Sequence, residues 1–129
     1  MTVTAYWTES SVMFRYAEKV SDHDIDRALL QASNNPYDKA VDYVVHDFEK
    51  TTQVSSSIFM QIVNSNVNQR RERLTGNSMT LIVTNDQLVR HLYRSIRHLS
   101  SAKVELFSRL DQIGTFISTG LKPAIQRAQ

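Results

Sequence analysis

The sequence predicts an α/β fold, a five-stranded mixed sheet with four helices in the order β-β-α-β-α-β-α-β-α. Three observations carry that expectation. Residues 3–16 alternate apolar and polar side chains in two short stretches, as paired strands with one buried face do. Beyond residue 20, apolar runs alternate with stretches whose apolar residues recur every three or four positions. Such strand–helix units build a mostly parallel sheet through right-handed crossovers. The chain of 129 residues, 41% hydrophobic and 22% charged, has the length and balance of one packed domain. That domain is expected over 1–120, with 121–129 as a C-terminal tail.

The elements follow in order. Val3, Ala5 and Trp7 alternate with Thr4, Tyr6 and Thr8, and Val12, Phe14 and Tyr16 with Met13, Arg15 and Ala17, either side of Glu9-Ser10-Ser11. This is a β-hairpin. Ser21, with Asp24 three residues on, is a near-match to a capping box, and Asp22, Asp24 and Asp26 suit the positive end of a helix dipole. Ile25, Ala28, Leu29 and Ala32 then have helical spacing, and Asn34-Asn35-Pro36 stops a first helix over 21–34. Tyr43 to Phe48 is a mostly apolar, β-branched run, expected as a central strand covered on both faces. Glu49 to Val54 is a polar loop. From about Ser55, the residues Ile58, Phe59, Ile62, Val63 and Val67 make a second helix to about Arg73, ended by Thr75-Gly76-Asn77. Met79 to Val83 is the next strand. Asn85 or Asp86 caps a third helix whose buried stripe is read as Leu88, Leu92, Ile96 and Leu99. Val104, Leu106 and Phe107 form the last strand, and Leu110, Ile113, Phe116 and Ile117 a fourth helix that ends near Gly120 and Pro123.

Composition removes several kinds of chemistry. There is no cysteine, hence no disulfide, no cysteine nucleophile and no Cys-type zinc site, and three glycines leave no glycine-rich phosphate loop. His23, His46, His91 and His98 lack metal-ligand spacing, so no metal and no cofactor is expected. His46-Asp47 with Ser55 or Ser56 has the residue types of a hydrolytic triad, yet the chain has no Gly-x-Ser-x-Gly elbow to present a nucleophile. The reading is non-enzymatic, with His46 a hydrogen-bonded strand residue. No apolar run is long enough to span a bilayer and the first sixteen residues have no signal-peptide pattern, so the expected place is the cytoplasm.

Charge is uneven. Residues 1–64 hold 5 basic and 9 acidic side chains, and residues 65–129 hold 10 and 4. Arg90, Arg94 and Arg97 recur at i, i+4, i+7 and form a basic face opposite the expected apolar stripe, with Arg70, Arg71 and Arg73 as a second cluster. That face suits an anionic ligand, an acidic protein or membrane headgroups. Nucleic acid is not expected, because no aromatic residues are read as interleaved with the arginines.

The element order, and the stretch Asp47-Phe48-Glu49-Lys50-Thr51-Thr52-Gln53-Val54-Ser55-Ser56-Ser57, resemble the STAS domain of anti-sigma factor antagonists. In that family a central strand ends in Asp and Leu, and Asp-Ser-Ser-Gly then opens a helix. On this register Ser56 stands at the phosphorylatable serine, Ser55 replaces the aspartate before it, Ser57 keeps the second serine and Ile58 replaces the glycine. Tyr-Trp-Thr-Glu near the start, Asp-Phe after the central strand and Val-Glu-Leu-Phe near the end also resemble a bacterial STAS-like group akin to lipid-binding SEC14 domains.

The resemblance implies a non-enzymatic protein-interaction module whose partner is an anti-sigma-type kinase or another regulator. Asp47, Thr52, Val54, Ser55, Ser57, Phe59 and Met60 are its expected contact residues, and Ser56 its switch. Such a module predicts an exposed apolar patch at Val54, Phe59 and Met60. The rival reading, a lipid or small apolar ligand under the helices, predicts an enclosed cavity of roughly 300–1,000 Å³. A homodimer is left open. Independently of any family, hydroxyl side chains at a helix start beyond a central strand sit where open α/β sheets bind ligands and where free N–H groups favour anions. Tyr6, Trp7, Phe14, Tyr16, Phe48 and Phe107 are read as core.

Overall fold

The computed structural model describes residues 3–8, 10–32, 41–71, 79–97 and 102–114, the side chains of 69–71 excepted. The elements are β1 (Val3–Trp7), β2 (Ser11–Tyr16), α1 (Asp22–Ala32), β3 (Tyr43–Asp47), α2 (Ser56–Arg71), β4 (Met79–Val83), α3 (Gln87–Ile96) and β5 (Val104–Phe107). A fourth helical stretch spans 111–114. The expected α/β fold with a five-stranded mixed sheet is therefore present. The breakers Asn34-Asn35-Pro36 and Thr75-Gly76-Asn77, Arg73 and the side chains of Arg70 and Arg71 from the second basic cluster, Leu99, and Phe116 onward lie outside the described residues.

The strands lie in sequence order, β1-β2-β3-β4-β5. β1 pairs antiparallel with β2, and the other pairings are parallel. Parallel crossovers share one hand, so a strand order that always steps the same way puts every crossover helix on the same face. The core follows from this. Val12, Phe14, Tyr16, Val44, Ile82 and Val104 pack against Ile25, Ala28, Ile58, Phe59, Ile62, Val63 and Val89 of α1, α2 and α3. The alternate strand residues Val45, Leu81 and Val83 face the other way and pack with Ile113, Leu110, Met13 and Phe107. β3 is the middle strand and is covered on both faces, as its mostly apolar run suggests.

Local chemistry starts the helices. The Ser21 N–H donates to Asp24 Oδ2 at 3.0 Å and the Asp24 N–H to Ser21 Oγ at 3.2 Å, a capping box completed by aspartate. Asp86, in extended backbone, caps α3 by accepting from the Leu88 and Val89 N–H groups.

Two expectations about burial are overturned. Leu88 is 51% exposed, and the inward stripe of α3 is Val89, Leu92, Tyr93 and Ile96. Both sets satisfy a 3.6-residue period, and only docking against the sheet chooses the rotation. Tyr6 is also exposed rather than core, because it stands on the solvent-facing side of β1, with the Arg15 guanidinium 5.5 Å from its ring centroid.

Candidate functional site

Parallel strands each followed by a helix gather their carboxyl ends and the helix N-termini at one rim. The loop after β3 crosses that rim and is held on both sides. Toward β2, Thr51 Oγ1 donates to the Ala17 carbonyl at 2.7 Å, and both the Thr52 N–H and its hydroxyl donate to the Glu18 carbonyl at 3.2 Å. Toward α3, the Val54 N–H donates to Asp86 Oδ2 at 3.1 Å. Asp86 thus caps one helix and anchors the loop before another. Its cap was legible as a helix-start signal, but its bond to Val54, 32 residues away, carried none.

Beyond the loop, Ser55 is the N-cap of α2: its Oγ accepts from the Ile58 N–H at 3.2 Å and its carbonyl from the Phe59 N–H at 3.1 Å. Ser57 Oγ donates to the Asp22 carboxylate at 3.2 Å, joining α2 to the first turn of α1. Gln61 Nε2 donates to Asp26 one turn further along. Ser56, between the two engaged serines, is exposed, and its hydroxyl makes no hydrogen bond among the described residues. Thr52, Gln53, Ser55, Ser56 and Ser57 therefore form a continuous polar, solvent-facing strip.

The expected apolar patch is absent from that strip. Val54 and Phe59 are 2% and 1% exposed and belong to the core, and Met60 packs partly buried against them. In the first turn of a helix lying on a sheet, the positions following the cap residue divide between the two sides, and Ile58 and Phe59 take the inner one. Asp47 is buried as well. Its Oδ2 accepts from Arg15 Nε at 3.1 Å across the β2–β3 register, and its Oδ1 from the Glu49 N–H at 2.9 Å. It shapes the loop from beneath and offers no free carboxylate edge to a partner.

His46 and Asp47 do not meet. Neighbouring strand residues point to opposite faces, so Asp47 joins Arg15 while His46 enters the helix-side core. There a 2.7 Å hydrogen bond joins His46 Nδ1 to the Tyr16 hydroxyl, and the imidazole stacks with Phe14, Tyr16 and Phe48. Burial pushes its pKa down to about 3, so the ring is neutral at physiological pH. The Tyr16 hydroxyl is driven far up by burial and by Asp24, and stays protonated. This is the hydrogen-bonded strand histidine that the sequence predicts, its partner the Tyr16 hydroxyl and not a serine of the α2 start. Among the described residues no group of three or more His, Asp or Glu side chains is arranged to hold a metal.

The basic face lies elsewhere. Arg90, Arg94 and Arg97 line an open cleft of about 390 Å³ between α3 and the end of β5, with Tyr93, Leu106 and Phe107 as its apolar part. Arg97 lies 5.7 Å from the Tyr93 ring centroid, so the arginines do have an aromatic partner, which the reading of their spacing missed. This cleft is solvent-open and cationic, unlike the enclosed apolar chamber that a lipid carrier predicts. Beneath the helices, the described core side chains pack against one another. A further residue without a sequence signal is Asn66, buried in α2. Its Nδ2 donates to Thr80 Oγ1 at 3.0 Å and its Oδ1 accepts from the Lys103 N–H at 2.8 Å.

This sheet order, with three helices on one face and a loop crossing the carboxyl rim into a serine-capped helix, is the architecture of a STAS domain. No protein-family model matches the chain, and no curated protein matches its sequence. Solved structures do match. The chain is similar to the anti-sigma factor antagonist SpoIIAA in its unphosphorylated form, with a TM-score of 0.63 and 14% identity over 92% of this chain and 98% of that one. It is also similar to the Bacillus cell fate determinant SpoIIAA in its phosphorylated form, with a TM-score of 0.57 and 15% identity over 88% and 97%. The likeness is one of fold, the anti-sigma factor antagonist fold.

Proposed function

We propose that this chain is a non-enzymatic regulatory module that binds a protein partner through the rim Glu49 to Ser57, with Ser56 as a phosphorylatable switch. The observation that carries the reading is the state of the three serines. Ser55 is spent on the helix cap and Ser57 on Asp22, while Ser56 is exposed with an unengaged hydroxyl in the first turn of α2. A kinase needs an accessible hydroxyl, and the helix N-terminus favours the phosphate it adds. The likeness to SpoIIAA, known in unphosphorylated and phosphorylated forms, supports the same reading. A protein of the anti-sigma kinase type is the matching partner, and such a module works in the cytoplasm.

The recognition surface is polar. Thr52, Gln53 and the three serines present hydroxyls and an amide, with Val54 and Phe59 holding the backbone from below. A phosphate at Ser56 adds about −1.5 to −2 charge, and it does so beside α1, whose first turn carries Asp22 and Asp24. The switch thus works by changing the charge of a surface whose shape is already set.

The test is capture of partners from the native host by wild-type, Ser56→Ala and Ser56→Asp chains, together with intact-mass analysis after incubation with candidate kinases. The expected result is a gain of one phosphate that Ser56→Ala abolishes, and a partner held by wild type and lost by Ser56→Asp. Identical partner sets for all three chains, with no mass change, overturn the reading.

A further inference from the structure

Arg90, Arg94 and Arg97 converge on the cleft between α3 and the β5 end without a carboxylate among its lining residues. Like charges at i, i+4 spacing repel, and folded proteins usually answer them with an acidic neighbour. The acidic side chains close to this end of the sheet do not enter the cleft, Glu105 lining the adjoining hollow beside Arg97. Glu105 accepts from the Tyr93 hydroxyl at 3.1 Å, and Asp111 pairs with Arg109 at 3.3 Å. None of the three arginines forms a salt bridge among the described residues. The neighbouring stretches of sequence, 98–101 and 115–129, contain no Asp or Glu side chain.

Two of the three guanidinium groups are also held in position. Arg90 is half-buried and donates to Ser108 Oγ, while its Nε is buried with no hydrogen-bond partner among the described residues. Arg97 lies on the Tyr93 ring. A buried guanidinium N–H left unmatched is costly, and planar guanidinium forks match phosphate oxygens in pairs. The rest of the lining, Leu106, Phe107 and the Tyr93 ring, is apolar, and about 390 Å³ is the size of a small-molecule site.

We propose that this cleft binds a phosphate-bearing group, with the phosphate on Arg90, Arg94 and Arg97 and an apolar or ring-bearing remainder on Tyr93, Leu106 and Phe107. The group is either a free phosphate ester or the headgroup of a phospholipid. The proposal stands apart from the Ser56 rim and does not depend on it.

The test uses the full chain, observed by amide chemical shifts at residues 90–97 and 106–108. It is titrated with inorganic phosphate, phenyl phosphate and phenol, and mixed separately with vesicles of anionic or of uncharged phospholipid. Saturable shifts with phenyl phosphate are expected, several-fold tighter than with inorganic phosphate, and none with phenol. Arg94→Gln with Arg97→Gln, both exposed positions that leave the core untouched, weakens binding at least tenfold. Saturation by phenyl phosphate identifies a free ester as the source. Shifts with anionic vesicles and not with phenyl phosphate identify a headgroup. Absence of saturation in every arm, or equal affinity in the double variant, overturns the proposal.

Discussion

His46 shows how one buried side chain ties stability to pH. Its imidazole lies wholly inside the core, and burial holds its pKa near 3 against an ordinary 6.5. Because the folded pKa is depressed, the unfolded chain takes up the proton first. The neutral ring contributes its full stability above about pH 6.5, and that stability declines as pH falls from there toward 3. Between pH 7 and pH 5 the expected loss is about 2 kcal/mol, at roughly 1.4 kcal/mol per unit once the unfolded histidine titrates. Urea unfolding of wild type and His46→Gln at the two pH values checks this, with the variant expected to lack that part of the slope. Asp47 is a second residue whose role is structural. Replacing it with Asn leaves Arg15 without its ion pair in a half-buried setting. The expected destabilisation is about 1–2 kcal/mol, measured as a lower urea midpoint with an unchanged slope.

At the level of elements, the rim depends on Asp86. One carboxylate oxygen caps α3 and the other holds the Val54 amide of the preceding loop. Asp86→Ala is expected to cost about 1–2 kcal/mol for the cap alone, and to raise hydrogen exchange at the Val54 amide well beyond the global change. Asp86→Asn keeps only one acceptor oxygen, so it can serve the α3 cap or the Val54 amide but not both, and it is expected to lose less than Ala in only one of the two readouts. α2 carries a parallel lesson. Phe59 is a core residue, so Phe59→Ala is expected to destabilise the whole domain by about 3–5 kcal/mol. Any loss of partner binding in that variant is expected to track its thermal midpoint, whereas on the proposed reading Ser56→Asp is expected to alter binding with little change in stability.

The whole molecule is asymmetric about its sheet. Three helices cover one face, and the other is closed over Val45, Leu81 and Val83 by Leu110 and Ile113. Among the described residues that second cover comes from the segment following β5. Leu110→Asp with Ile113→Asp is expected to uncover the apolar residues of β3 and β4, since burying two unpaired charges is far more costly than exposing the segment. The measurement is binding of a hydrophobic dye, which should rise strongly while far-ultraviolet circular dichroism keeps its helical signal. Collapse of that signal would instead mean that the two faces fold only together. No described helix is long and apolar enough to cross a membrane.

What the amino-acid order determined by itself was local. The alternation of Val12, Phe14 and Tyr16, the Ser21–Asp24 box, the Asp86 cap, the mostly apolar run of β3 and the serines at the start of α2 are each written within a few residues. Together they specified the strand–helix order and hence the sheet. What only the tertiary structure decided was which side each element turns inward and which distant groups meet. Leu88 and Val89 both fit a helical period, and docking on the sheet chose Val89. Phe59 stood next to an exposed loop in sequence, yet helix rotation took it into the core and left the rim polar. The bonds of Asp47 to Arg15, Asp86 to Val54, Ser57 to Asp22 and Arg90 to Ser108 each join different elements of the fold. The physical reason is one of range. Propensity, capping and periodicity act across a turn or two of chain, whereas packing and long-range hydrogen bonds are settled only when whole elements exclude water against one another.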